Sequence, residues 1–338
     1  MKPDRDHRAE KSEQFAHEEN ESPAIDRSFL LGALERTRSR LVRSDWVRKI
    51  PGRAWVYDFL FQRLWNQPEV IEIQGSKMYL NVREPHPGMR KTFQSYAMNR
   101  EHEAAASRLF RTILREGNVV VDLGANIGYY SLMASRGVGE KGRVYSFEPE
   151  PTNFRLFRKN IDLNGYTNIT ALNKAVSDRN GTTQLFICEY DTGHHTINRF
   201  DGIAAYQKHR VQENKTAVDI ETVTLDDFLR DRERALDVMK VDVEGAEVLA
   251  FRGMDRVLRE SPNLKMIVEF FPLLIRSMGC SPEEWIGDMT QKYGFEISII
   301  DEDYSARDQG MVKVRDAEEL MRACAGETDH LNLYLARP

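Results

Sequence analysis

The chain has 338 residues, 41% hydrophobic and 30% charged, with a formal net charge of -5. That allows one large domain with an extension, or two modest domains, around a sizeable core. The acidic balance excludes a generally polybasic nucleic-acid binder, and no apolar run approaches the roughly 20 residues a membrane span needs. The cysteines, Cys188, Cys280 and Cys324, are widely spaced and match no metal-ligand pattern. A low, odd count fits a reducing compartment, and the polar N-terminus lacks the apolar centre of a signal peptide, so the chain reads as cytoplasmic.

Residues 1–25 are rich in charge and almost empty of large apolar side chains, so burial cannot offset ordering entropy and a disordered tail is expected. Residues 27–48 read as a helix, with Leu30, Leu34 and Leu41 near one face. Pro51 and Gly52 break it, and a second helix carries Val56, Phe59, Leu60 and Leu64 at helical spacing. Residues 36–53 hold seven Lys/Arg against one acid, Asp45, with Trp46, Trp55 and Trp65 close by. This stretch reads as a solvated helix pair packed beside the main domain, the alternative being contact with an anionic membrane surface or a partner. A short hairpin follows over 70–73 and 77–82, then an amphipathic helix over 100–116. Residues 26–95 thus form an N-terminal piece, and 96–338 the main domain.

From residue 117 the pattern alternates. Strands are predicted at 119–123, 143–147, 169–174, 238–241, 264–270, 295–300 and 331–335. Helices are predicted at 127–136, 152–164, 246–258 and 282–293. A long insertion between the third and fourth of these strands begins with a further strand over 181–190. The order implies an α/β, Rossmann-like doubly wound sheet with helices on both faces.

The segment VVVDLGANIG at 119–128 is the most informative. β-branched residues lead into Asp122, and Gly124, Asn126 and Gly128 precede an apolar helix. Ligands of such sheets bind beyond the carboxyl ends of the strands. The glycine spacing is not the Gly-x-Gly-x-x-Gly that cradles a pyrophosphate, which argues against a nicotinamide-dependent dehydrogenase. An acid at position 122 repels a pyrophosphate and suits a cationic ligand bearing an amino group. Glu148 ends the next strand, 24 positions after Gly124, where an acid accepts hydrogen bonds from ribose hydroxyls.

On these residues the chain resembles class I methyltransferases, and more narrowly the FkbM-type family. The segments that carry the resemblance are VVDLGANIGYY at 120–130, SFEP at 146–149, ALNKAVSD at 171–178, TLDD at 224–227 and MKVDVEGAE at 239–247. They cover roughly residues 95–275 as an ordered set. The resemblance implies a seven-stranded, mostly parallel sheet with its last strand antiparallel, and S-adenosyl-L-methionine as methyl donor. It assigns Asp122 and the loop Gly124, Asn126, Gly128 and Tyr129 to the methionine end, Glu148 to the ribose, and Asn173 or its neighbours to the adenine. Known members methylate hydroxyls of sugars and secondary metabolites, which makes O-methylation of a small-molecule or glycan acceptor the leading expectation.

Transfer to a hydroxyl needs in-line placement, exclusion of water and a base. Lys240, Asp242 and Glu244 alternate at a strand end and should share one face, with Asp242 placed for a base or a substrate ligand. Lys240 in a buried strand calls for a partner, Asp242 or Glu148. Glu269, in IVEF at 267–270, is expected at the same cleft. The turn GHHTI at 193–197 offers His194 and His195 as substrate contacts or a base. Adjacent histidines lack metal-site spacing, so no metal is assigned. A scaffold that kept the fold without activity is the rival from another class. A nucleic-acid methyltransferase is a further rival, but the aromatic Asn/Asp-Pro-Pro-Tyr/Phe motif is absent after the fourth strand.

Overall fold

The computed structural model describes residues 53–65, 69–99, 101–188, 192–197, 216–301, 311–324 and 330–338, with Leu30, Ala33, Leu34 and Thr37. The tail expected over 1–25 and nearly all of 36–53 lie outside the described residues. The chain divides into two units, Met1–Pro68 and Glu69–Pro338. In the first, helix α1 (Arg53–Leu64) stacks Phe61 on Trp65 at 5.7 Å and exposes Val56, Phe59 and Leu60.

The second unit opens with the hairpin β1 (Val70–Ile73) and β2 (Ser76–Tyr79), turned at Gln74 and Gly75. Both turn residues have positive φ, as a two-residue turn of this twist requires. The hairpin, assigned to the N-terminal piece from sequence, is tied to the main domain. Asn160 and Asn164 side chains accept from the Tyr79 and Lys77 amides at 2.8 and 2.7 Å. Helices α2 (Pro87–Asn99) and α3 (Ala104–Ile113) follow. The sequence blurs α2, whose apolar residues are few, and starts α3 too early, because Glu103 adopts a left-handed backbone just before it.

Then come β3 (Val119–Leu123), α4 (Tyr129–Val138), β4 (Arg143–Phe147), α5 (Pro151–Asn164) and β5 (Ile169–Leu172). Helix α5 shows why its ends fall where they do. Glu150 caps the start, Pro151 occupies the first turn, and Gly165 takes the left-handed turn that stops it. The insertion carries β6 (Ala175–Val176), β7 (Gly181–Phe186) and β8 (Ala217–Val223), which form a small sheet of order β6-β8-β7. Next are α6 (Leu225–Leu229), β9 (Val238–Val241), α7 (Glu247–Arg252), α8 (Asp255–Glu260) and β10 (Lys265–Phe270). The single helix expected over 246–258 is these two, parted at Gly253 and Met254. The chain ends with α9 (Pro272–Ser277), α10 (Pro282–Gly287), a π-helical turn (Asp288–Lys292), β11 (Glu296–Ile300), β12 (Met311–Val314), α11 (Ala317–Ala323) and β13 (Leu331–Ala336).

The main sheet has the order β12-β11-β13-β10-β9-β3-β4-β5. The seven expected strands are present, with β13 antiparallel between β10 and β11, and β12 adds an eighth at the edge. Strands β3, β4, β5, β9 and β10 are parallel, and their central residues, such as Val121, Met239 and Val268, are fully buried. Sequence order reverses across β3 and β9, so a crevice opens beyond their carboxyl ends.

Candidate active site

Register places the candidate residues at one level. Asp122 on β3 pairs with Ser146 on β4 and Lys240 on β9, and Lys240 with Ile267 on β10. The residues just past those strand ends surround a cavity of about 440 Å³, the size of a small-molecule site. Asp122, Gly124, Asn126, Tyr129, Glu148, His194, His195, Asp242, Glu244 and Glu269 all line it. Lys240, Gly128 and Asn173 do not.

Gly124 has φ 85°, and a Cβ there would lie 1.8 Å from the Asp242 carbonyl oxygen. Its smallness lets the two strand-end loops touch, rather than only admitting a ligand. Gly128 packs against the Phe157 ring, where a Cβ would come within 2.4 Å. Asn173 is spent on structure: its Nδ2 donates to the Glu148 and Pro149 carbonyls, while its neighbours Lys174 and Ala175 reach the cavity.

The donor end is rich in acids. Asp122 is 1% exposed and accepts from Ser131 Oγ, and its Oδ1 has no hydrogen-bond partner among the described residues. Burial raises its pKa to about 6, against the pull of that hydroxyl. Glu148 accepts from the Asn126 amide at 2.7 Å and the Glu150 amide at 2.8 Å. Burial still outweighs those bonds and raises it to about 8. A cation beside Asp122 Oδ1 and hydroxyl donors beside Glu148 are what such groups lack, so the residues fit S-adenosylmethionine. Tyr96, His102 and Tyr129 wall the same cavity with rings 5.3–5.9 Å apart.

Lys240 is 1% exposed. Its Nζ lies 3.2 Å from Asp242 Oδ2 and 3.7 Å from Glu103 Oε2, so it pairs with Asp242, as expected, and with Glu103 rather than Glu148. Burial opposes the charge on Lys240, but Asp242 and Glu103 more than restore it and its pKa rises. Glu103 also accepts from Tyr130 Oη at 2.8 Å and Asn332 Nδ2 at 3.0 Å. Burial would raise Glu103, yet Lys240 and these neighbours bring it down to about 2.

On the far side, His194 Nδ1 lies 2.7 Å from Glu244 Oε1, and Thr196 Oγ1 donates to the Glu244 carbonyl at 2.8 Å. His195 Nδ1 accepts from the Cys188 amide at 3.0 Å. Glu269 has His330 Nε2 at 3.6 Å, and burial, then Asp242 and Glu244, push its pKa well up. Oxygens of Asp242, Glu244 and Glu269 lie within 4.8 Å of one another. Lys240 and His194 already face two of these carboxylates, which lessens the cluster's need for a cation. Three of the four non-glycine residues with positive φ among the described residues, Glu103, Asn126 and Glu244, line the cavity. Strained backbone concentrates at working sites in this way.

Sequence reading missed Glu103, His330, Asn153, Thr192 and the α2 residues Lys91, Thr92 and Tyr96, all cavity-lining. Thr192 directly precedes the histidine turn and Asn153 lies four residues past the segment at 146–149, whereas the others are hidden by their distance along the chain from any motif.

A family model for the methyltransferase FkbM domain matches residues 122–297. The chain is 31% identical over 157 residues to methyltransferase sdnD of Sordaria araneosa, covering 40% of this chain and 60% of that one. It is 26% identical over 149 residues to methyltransferase 1 of Beauveria bassiana, covering 41% and 59%. It is 28% identical over 153 residues to the hexuronic acid methyltransferase AglP of Haloferax volcanii, covering 45% and 56%. The matches thus span less than two thirds of these relatives' lengths. Among the described residues no helix is long and apolar enough to cross a membrane. The matched segment holds the strand-end loops, Glu148, the histidine turn and the Lys240–Asp242 pair, and with it the chain belongs to the FkbM family of S-adenosylmethionine-dependent methyltransferases.

Proposed function

We propose that the protein is an O-methyltransferase acting on a hydroxyl of a sugar or related small metabolite, with His194 as base. The observation that carries this is the 2.7 Å contact of His194 Nδ1 with Glu244 Oε1 at the cavity wall. A carboxylate only accepts, so the shared proton rests on Nδ1 and the lone pair of that tautomer is on Nε2. Glu244 orients the ring and stabilises the imidazolium that forms when His194 takes the acceptor's hydroxyl proton.

Asp122 would hold the cofactor's amino group, Glu148 its ribose hydroxyls, and Ala175 or Lys174 the edge of its adenine. When bound, S-adenosylmethionine supplies an electrophilic methyl group on a sulfonium. The chain contributes placement: Asp242, fixed by Lys240, and Glu269 accept from neighbouring hydroxyls of the acceptor, and the aromatic wall of Tyr96 and Tyr129 excludes water. The oxygens of Asp242, Glu244 and Glu269, close together at the cavity wall, suit an acceptor that presents several hydroxyl donors. The name of the Haloferax relative, a hexuronic acid methyltransferase, supports sugars as the first class to screen.

The test is label transfer from S-adenosylmethionine to panels of neutral sugars, uronic acids and hydroxylated metabolites. With an accepted substrate, His194→Gln should lower kcat by roughly 10²–10⁴-fold while leaving the affinity for S-adenosylhomocysteine unchanged. Full activity in that variant would remove His194 from the chemistry.

A further inference from the structure

Thr192 is 4% exposed and stands where four segments of the cavity wall meet. Its carbonyl accepts from Asn126 Nδ2 at 3.3 Å, in the loop after β3, and from Asn153 Nδ2 at 3.2 Å, on α5. Its hydroxyl is 2.7 Å from Thr92 Oγ1 on α2. Two residues further on is His194. Convergence of both amides on one carbonyl fixes which end of each is nitrogen, since turning either would set oxygen against oxygen.

That orientation has a consequence. Asn126 Oδ1 and Asn153 Oδ1 are buried, and neither has a hydrogen-bond partner among the described residues. Asn153 is 1% exposed, and both residues line the cavity. A buried acceptor without a donor carries its full desolvation cost, so two of them in one cavity wall call for donors from a ligand. A nucleoside offers such donors in its ribose hydroxyls and its exocyclic amine.

We propose that Asn153, together with Asn126, accepts hydrogen bonds from the nucleoside part of the cofactor and transmits occupancy of the donor half, through the Thr192 carbonyl, to the turn that carries His194. Asn153 is then a binding residue toward the cofactor and a positioning residue toward His194. The acceptor site is completed after the donor has bound, and the two ligands add in that order. The inference rests on the donor-site reading and is independent of whether His194 is the base.

Hydrogen–deuterium exchange of the full chain, with and without saturating S-adenosylhomocysteine, reads this coupling without turnover. In the parent, the ligand should slow amide exchange both in 122–128 and in 192–197. In Asn153→Leu, affinity should fall about tenfold, the worth of one hydrogen bond. At saturation 122–128 should stay protected while 192–197 exchanges as in the ligand-free protein. Asn153→Ala serves if the leucine variant does not fold. Equal protection of 192–197 in the variant, or none in the parent while 122–128 is protected, would overturn the coupling. Protection of neither segment in the parent would overturn the donor site itself.

Discussion

Lys240 is a charged side chain buried as completely as Met239 and Val241 beside it, and the pairs it makes decide what the site looks like. Its partners, Asp242 and Glu103, come from a strand end and from the residue before α3. Removing one member of such a buried group leaves the others uncompensated, which costs roughly 3–5 kcal/mol. Lys240→Met should therefore lower unfolding stability by about that amount in urea titrations, and stability equal to the parent's would show that the pairs carry no net weight. The sequence marks Lys240 as needing a partner and supplies Asp242. It is silent on Glu103, which lies 137 positions away (240 − 103) and belongs to no motif. Histidines show the same divide. The turn at 193–197 is conspicuous, but the pairing of His194 with Glu244 is a product of folding.

At the scale of elements, alternation of apolar runs makes the strands and their order readable, because buried parallel strands need continuous apolar sequence. Strand β12 and helix α2 escape for different reasons: β12 is four residues long and mostly exposed at the sheet edge, whereas α2 has few apolar residues and turns polar ones toward the cavity. The single helix expected over 246–258 breaks at Gly253, where a Cβ would meet the Ser177 carbonyl at 2.0 Å, a contact invisible in the sequence. The glycines give a sharp comparison. Gly124 and Gly165 both have positive φ, but only Gly124 has backbone within reach of an added Cβ. Gly165→Ala should cost about 1 kcal/mol, the conformational penalty alone. Gly124→Ala should cost several times more and abolish S-adenosylhomocysteine binding, because the loops at Asp122 and Asp242 must part. Thermal unfolding of the two variants checks this, and equal losses would contradict it.

For the whole molecule, the buried acids of the donor half set a pH dependence. Glu148, raised to about 8 from an ordinary 4.5, holds a proton in the folded, unliganded protein that the unfolded chain has lost. Stability from this group is fully present below about pH 4.5 and is lost as pH rises through about 8; Asp122 adds the same trend up to about pH 6. Glu103, lowered to about 2, works the other way: its contribution is present above 4.5 and is lost toward pH 2. Unliganded protein should be less stable to urea at pH 8 than at pH 5.5, and a rise over that window would contradict the assignment. Ligand hydroxyls donating to Glu148 favour its ionised form, so binding near pH 7 should release protons. Calorimetry in buffers of different ionisation enthalpy would read that release.

If Asp122 and Glu148 hold the methyl donor, the cavity beyond β3, β4 and β9 is its site. Calorimetric titration of the full chain with S-adenosylhomocysteine tests it most directly, beside the double variant Asp122→Ala, Glu148→Ala checked for folding. Micromolar binding by the parent and its loss in the folded variant are expected. A folded parent that does not bind, or a variant that binds as the parent does, would contradict the claim.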